Sequence, residues 1–148
     1  MMSLKERLLE DMKSAMKDKD AIKKNTVQMA RAAILQVEKD NKVTLDDDGI
    51  LDIIGKEVKR RRDVLPDYEK SGRQDLIDDL KAEIEVLLQY LPEQLTEEEL
   101  EVIVKQAVQD TGATSVKDMG KIMQEVMPKV KGRADGKMIN GIVKKIIG

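Results

Sequence analysis

Apolar residues return every three or four positions along almost the whole chain, the period of an amphipathic helix and not the two-residue alternation of a half-buried strand. Leu4, Leu8, Met12 and Met16 mark a first helix, and Ile22, Thr26, Met29, Ala33 and Val37 a second. Ser3 and Glu6 have capping-box spacing at the first, and the charged KDKD of residues 17–20 marks a turn between the two, so the pair reads as a helical hairpin. Asp46, Asp47 and Asp48 then place negative charge where a helix amino terminus favours it, ahead of an apolar face through Ile50, Ile54, Val58, Arg61 and Leu65. Pro66 is expected to end or kink that helix. A fourth helix begins near Arg73 or Gln74, points Leu76 or Ile77, Leu80, Ile84, Leu87 and Leu91 inward, and stops at Pro92.

The segment LPEQLTEEEL is the clearest boundary, since Pro92 breaks one helix and Thr96 with Glu99 forms a capping box for the next. Three shorter patterns follow: Leu100, Ile103, Val104 and Ala107; Val116, Met119, Met123 and Val126; and Met138, Ile139, Ile142, Val143 and Ile146. Ser115 with Asp118, and Asp135, are natural caps for the last two. The chain is therefore expected to be all-α and multihelical, with a four-helix amino-terminal subdomain over residues 1–93 and a small three-helix subdomain over 94–148. A tail of that size is marginal for independent stability. The nine methionines sit at helical spacing and are assigned to core packing.

Composition narrows the chemistry. The 148 residues hold no cysteine and no histidine, which removes disulfides, thiolate nucleophiles, a Ser-His-Asp triad and an ordinary zinc site. With Tyr68 and Tyr90 as the only aromatic residues, a platform that stacks unpaired bases on rings cannot be assembled. Charged residues make up 38% and no apolar run approaches a membrane span, so a soluble protein with no membrane partner is expected. The amino terminus lacks the apolar core and cleavage site of a secretory signal, which reads as cytoplasmic.

Few groups remain for catalysis. Two of the four serines sit at caps and Ser71 precedes a turn glycine, so a Ser-Lys nucleophile pair is not supported and no catalytic residue is assigned. The clusters Asp46–Asp48, Asp78–Asp79 and Glu97–Glu99 read as helix ends or solvated faces more readily than as Mg²⁺ ligands, and no phosphate-binding glycine loop is present. No metal or other cofactor is expected.

Charge, by contrast, is unevenly placed. Residues 1–114 carry 19 Lys and Arg against 26 Asp and Glu, net −7, while residues 115–148 carry 8 against 3, net +5. Within PKVKGRADGK, Lys129, Lys131, Arg133 and Lys137 gather on one connection, with Lys144 and Lys145 two helical turns later. Gly132 suits a left-handed helix end and Asp135 a cap, so the connection reads first as a corner between helices. Capping does not account for the cations, and a phosphate-binding edge is the second reading. The run KEVKRRR is a second basic segment; Lys56, Lys59, Arg60 and Arg62 on it are either a solvated face or polyanion contacts.

The segments LPEQLTEEEL, VKDMGKIMQEVMPKVKGRADGKMINGIVKKIIG and KEVKRRRD resemble the YqeY-like proteins, and the similarity runs from Met2 to Gly148. The last third also resembles the tail domain of the GatB subunit of tRNA-dependent amidotransferase. That resemblance implies two helical subdomains and a tail that touches the outer body of tRNA. Carried over residue by residue, it implicates Lys121, Lys129, Lys131, Arg133, Ala134, Asp135, Gly136 and Lys137. It also implies a relation to carbon-nitrogen ligases that use glutamine as amido donor. The chain lacks the large ATP-using domain of GatB and its amidase partner, so no independent amidation is expected. A noncatalytic tRNA-binding accessory module is the leading expectation. The alternatives are an adaptor docking on an amidotransferase or aminoacyl-tRNA synthetase, and a small enzyme using carboxylates or Ser-Lys chemistry.

Overall fold

The structure, a computed structural model, describes residues 2–148. Its described residues form seven α-helices and one 3-10 turn, with no strand. Residues up to Leu91 make one compact unit and Pro92–Gly148 a second, each closing its own core.

The first unit contains α1 (Leu4–Lys17), α2 (Ala21–Asn41), α3 (Asp47–Ser71) and α4 (Gln74–Leu88). Helix starts follow the local chemistry: Ser3 Oγ accepts from the Glu6 N–H, Asp20 from Lys23 and Asp46 from Gly49. Leu8, Val27, Ala30, Ile34, Ile50, Ile54, Val58, Ile84 and Leu87 bring all four helices into one core. The Tyr90 hydroxyl donates to the Asp11 carboxylate of α1, while the Arg7 guanidinium lies 4.6 Å over the Tyr90 ring and donates to the Gln89 carbonyl at 3.1 Å. The single buried aromatic thus ties the end of the unit back to its first helix.

Two expectations need correction here. Pro66 does not end its helix; α3 runs on to Ser71 and stops where Gly72 takes a left-handed φ of 72°. Pro66 is exposed, so water can satisfy the carbonyl it leaves unbonded one turn earlier. Methionine is not uniformly core filler either: Met2, Met16, Met29 and Met127 are exposed, because they sit at or beyond the edge of the apolar stripe. Arg61, by contrast, does lie within the buried face, at 5% exposure.

The second unit contains α5 (Glu97–Thr111), the 3-10 turn Val116–Asp118, α6 (Met119–Val130) and α7 (Gly136–Ile147). Thr96 Oγ1 caps α5 through the Glu99 N–H, and Gly112 closes it in the left-handed region. Leu95, Leu100, Val104, Ala107, Ile122, Val126, Val130, Ile139, Ile142 and Val143 form the core. Ser115 caps the 3-10 turn, through Lys117, instead of an α-helix. Ile122, Val126 and Val130 are buried on α6 and Met119 and Met123 pack against the same core, while Val116, in the tighter turn ahead of α6, is exposed.

Candidate nucleic-acid interface

The connection between α6 and α7 is built around its backbone. Pro128 is inside α6, Gly132 follows at φ 76°, and Asp135 caps α7 by accepting from the Met138 N–H at 2.8 Å. A Cβ on Gly132 would be strained by that φ and would lie 3.3 Å from Pro92 Cδ. The connection also holds the segment that enters the unit. Arg133 Nε donates to the Glu93 carbonyl at 2.9 Å, the Leu95 N–H donates to the Arg133 carbonyl at 2.9 Å, and Gln94 donates to the Gly132 carbonyl at 2.7 Å. Ala134 packs on the core, and Gly136 opens α7 with the Met123 methyl 3.7 Å from where a Cβ would stand.

Much of the GRADG turn is therefore structural, and the cations around it differ in availability. Lys129 pairs with Glu125 at 3.6 Å, and Lys145 lies 3.8 Å from Glu97 and 3.9 Å from Glu101. Both lysines are exposed, and such pairs contribute about 0–1 kcal/mol, so an incoming phosphate can replace the carboxylate. Lys131 is exposed and engaged within the protein, as Asp135 is beyond its capping bond. The Thr114 N–H at 3.0 Å holds the Asp118 carboxyl below the usual carboxylate range, against a smaller upward push from burial, and the charge of Lys121 adds a minor downward pull.

Lys137 and Lys144 are exposed on α7, and among the described residues no carboxylate pairs with either. They are seven residues apart, two turns, so they share one face at a spacing of about 10 Å. Exposed Asn140 and Gly141 lie between them on that face. Asn140 was not among the candidates from sequence; its signal is the i, i+3, i+7 spacing with the two lysines.

The second basic segment lies in the other unit, on α3. Lys56 and Lys59 are exposed, Arg60 pairs with Glu57 at 3.2 Å and Arg62 is engaged within the protein. Its centre is a buried polar cluster. Arg61 donates to the Glu57 carbonyl at 3.0 Å and to Glu83 at 3.2 Å, with Glu57 Oε1 at 3.5 Å and the Met29 thioether at 3.8 Å.

Among the described residues no three His, Cys, Asp or Glu side chains converge in a way that would hold a metal. No helix there is long and apolar enough to cross a membrane. Asp46 and Asp47 serve helix ends instead, Asp46 as the α3 cap and Asp47 by accepting from the Leu4 N–H at 3.1 Å.

Comparison with known proteins places this architecture among relatives. The chain is 29% identical over 147 residues to Altered inheritance of mitochondria protein 41, mitochondrial, of Pyrenophora tritici-repentis, covering 96% of this chain and 80% of the relative. It is 30% identical over 141 residues to the protein of that name in Kluyveromyces lactis, covering 93% and 72%. In Candida glabrata the match to a protein of the same name is 36% over 88 residues, covering 58% and 48%. These names overturn the cytoplasmic expectation, since the relatives are named as mitochondrial proteins. An amino-terminal segment without the apolar core of a secretory signal does not separate a cytoplasmic from a mitochondrial setting. A family model described as Yqey-like protein matches residues 5–147, and the chain belongs to the YqeY-like family.

Proposed function

We propose that this protein is a noncatalytic accessory module that binds the body of folded tRNA through its second unit, in a role related to tRNA-dependent amidotransferase. The observation that carries the reading is the exposed α7 face with Lys137 and Lys144 two turns apart and, among the described residues, no carboxylate paired to either. It lies within a segment of net charge +5, from 8 Lys and Arg against 3 Asp and Glu. Lys121, Lys129, Lys131 and Lys145 add exposed charge from the same unit. The near absence of aromatic residues favours contacts with phosphate and sugar over stacking on unpaired bases. Membership of the YqeY-like family, together with the resemblance to the GatB tail domain read from the sequence of the last third, supports tRNA as the ligand. The relatives' names support a mitochondrial setting, so mitochondrial tRNA belongs in any ligand panel.

Catalysis is assigned to no residue, and any amidation requires other subunits. The test is fluorescence anisotropy with folded tRNA at low salt, comparing the wild-type chain with Lys137→Glu/Lys144→Glu. At least a tenfold loss of affinity is expected with the helical circular dichroism unchanged. Equal affinities would remove the α7 face from the interface, and release of amidated tRNA by the purified chain alone would refute the noncatalytic reading.

A further inference from the structure

A second surface, on the first unit, has the makings of a partner site. α1 and α2 form a hairpin, and a groove of about 390 Å³ runs between them over a floor that includes buried Leu8 and Ile34. A smaller hollow of about 310 Å³ lies near the turn of the hairpin, beside Met16 and Lys24. On α2 the residues lining the two are Ala21, Lys24, Gln28, Arg31, Leu35 and Glu38 among others, spaced alternately by three and four. That is the spacing of a coiled-coil seam, so both hollows lie along one face of the helix, and Ala21 to Leu35 spans about 21 Å. Leu35 is 55% exposed and Met16 57%, which leaves one large apolar side chain open beside each hollow.

The charges on this seam choose the occupant. Glu38 is already committed, to Lys5 at 2.6 Å and to the Leu45 N–H at 2.8 Å, and Asp20 caps α2. Arg31 is half-buried in the groove, and its guanidinium reaches the Met12 thioether at 3.3 Å, a weak acceptor. Among the described residues no carboxylate pairs with Arg31, Lys24 or Lys19. An apolar floor with unanswered cations is complementary to an amphipathic segment carrying acidic side chains. A helix is the form of partner that suits this groove, because the backbones of α1 and α2 are bonded internally and have no edge to offer an extended strand, while the seam keeps helical spacing over its length.

We propose that the α1–α2 groove binds an acidic amphipathic helix of a partner protein, which lies along the hairpin with its aliphatic residues on the floor and a carboxylate on Arg31. The proposal concerns the first unit and stands apart from the tRNA reading. Its test uses the full chain and two synthetic helical peptides, with leucine at the seam positions and either glutamate or lysine flanking them, followed by fluorescence anisotropy. The glutamate peptide is expected to bind at least tenfold more tightly than its lysine twin. Lys24→Glu/Arg31→Glu is expected to reverse that preference, and the single Lys24→Glu, at the half-buried edge of the smaller hollow, to reduce it should the double variant not fold. Equal binding of the twins, binding of neither, or indifference to both variants would overturn the proposal. So would displacement of the peptide by tRNA, which would make the groove a polyanion site, or a dimer that Leu35→Glu dissociates, which would make the occupant a second copy.

Discussion

Burying a guanidinium costs several kcal/mol unless carboxylates and carbonyls surround it, and Arg61 is surrounded by Glu57, Glu83 and the Glu57 carbonyl. Removing the cation leaves Glu57, at 3% exposure, without its buried partner. Arg61→Ala should therefore cost about 3–5 kcal/mol in urea unfolding, whereas Glu57→Leu/Arg61→Met, which removes both charges, should cost far less. Tyr90 acts through its proton. Burial first, and then its bond to Asp11, hold the phenol well above its ordinary value, so the folded chain keeps a proton that the unfolded chain gives up. Its contribution is fully present below about pH 10, the ordinary tyrosine value, and fades as pH rises beyond it. Tyr90→Phe should flatten the fall in stability above about pH 10, followed by urea midpoint. An unchanged alkaline slope would remove Tyr90 from that account. Glu38 works in the opposite direction: bonds from Lys5 and the Leu45 amide lower its pKa, so its contribution is lost as pH falls below the usual carboxylate range.

At helix ends the sign of a substitution depends on φ. Lys42 closes α2 at φ 54°, where a side chain is strained, and Lys42→Gly should stabilise the chain by about 1 kcal/mol. Gly132 is the reverse case, with φ 76° and Pro92 close by, so Gly132→Ala should destabilise by at least about 1 kcal/mol. Thermal melts of both variants check the pair, and shifts of the same sign would contradict it. The seven helices were legible because their apolar residues repeat at helical spacing, and Ser3, Thr96 and Asp135 carry capping chemistry in plain sight. Of the two outcomes expected for Pro66, a helix end is not what is found, because exposure, which periodicity reports poorly, decides whether a broken helix bond is tolerated. Val116 misled because it lies in a 3-10 turn, whose tighter winding takes it off the face that Met119, Met123 and Val126 share. The basic connection could be read as cationic, but its division into a structural part and an open part could not. Arg133 is held by a backbone carbonyl 40 residues away in sequence, and no spacing rule announces that bond.

Over the whole molecule, each unit closes its own core, and chemistry is divided between them: an α7 face presenting Lys137 and Lys144 in one, an apolar hairpin groove in the other. The unit of residues 92–148 is small but closes a core of its own, so that fragment should melt cooperatively. Loss of cooperativity would show that its core is not self-sufficient. The central claim concerns phosphate contact, and the dependence of tRNA affinity on salt measures it most directly. Each lysine that neutralises a phosphate adds about one to the slope of log affinity against log salt. The wild-type slope should be negative and should become shallower by about two in Lys137→Ala/Lys144→Ala. Identical slopes for the two proteins, or an affinity for tRNA that salt does not change, would contradict the account.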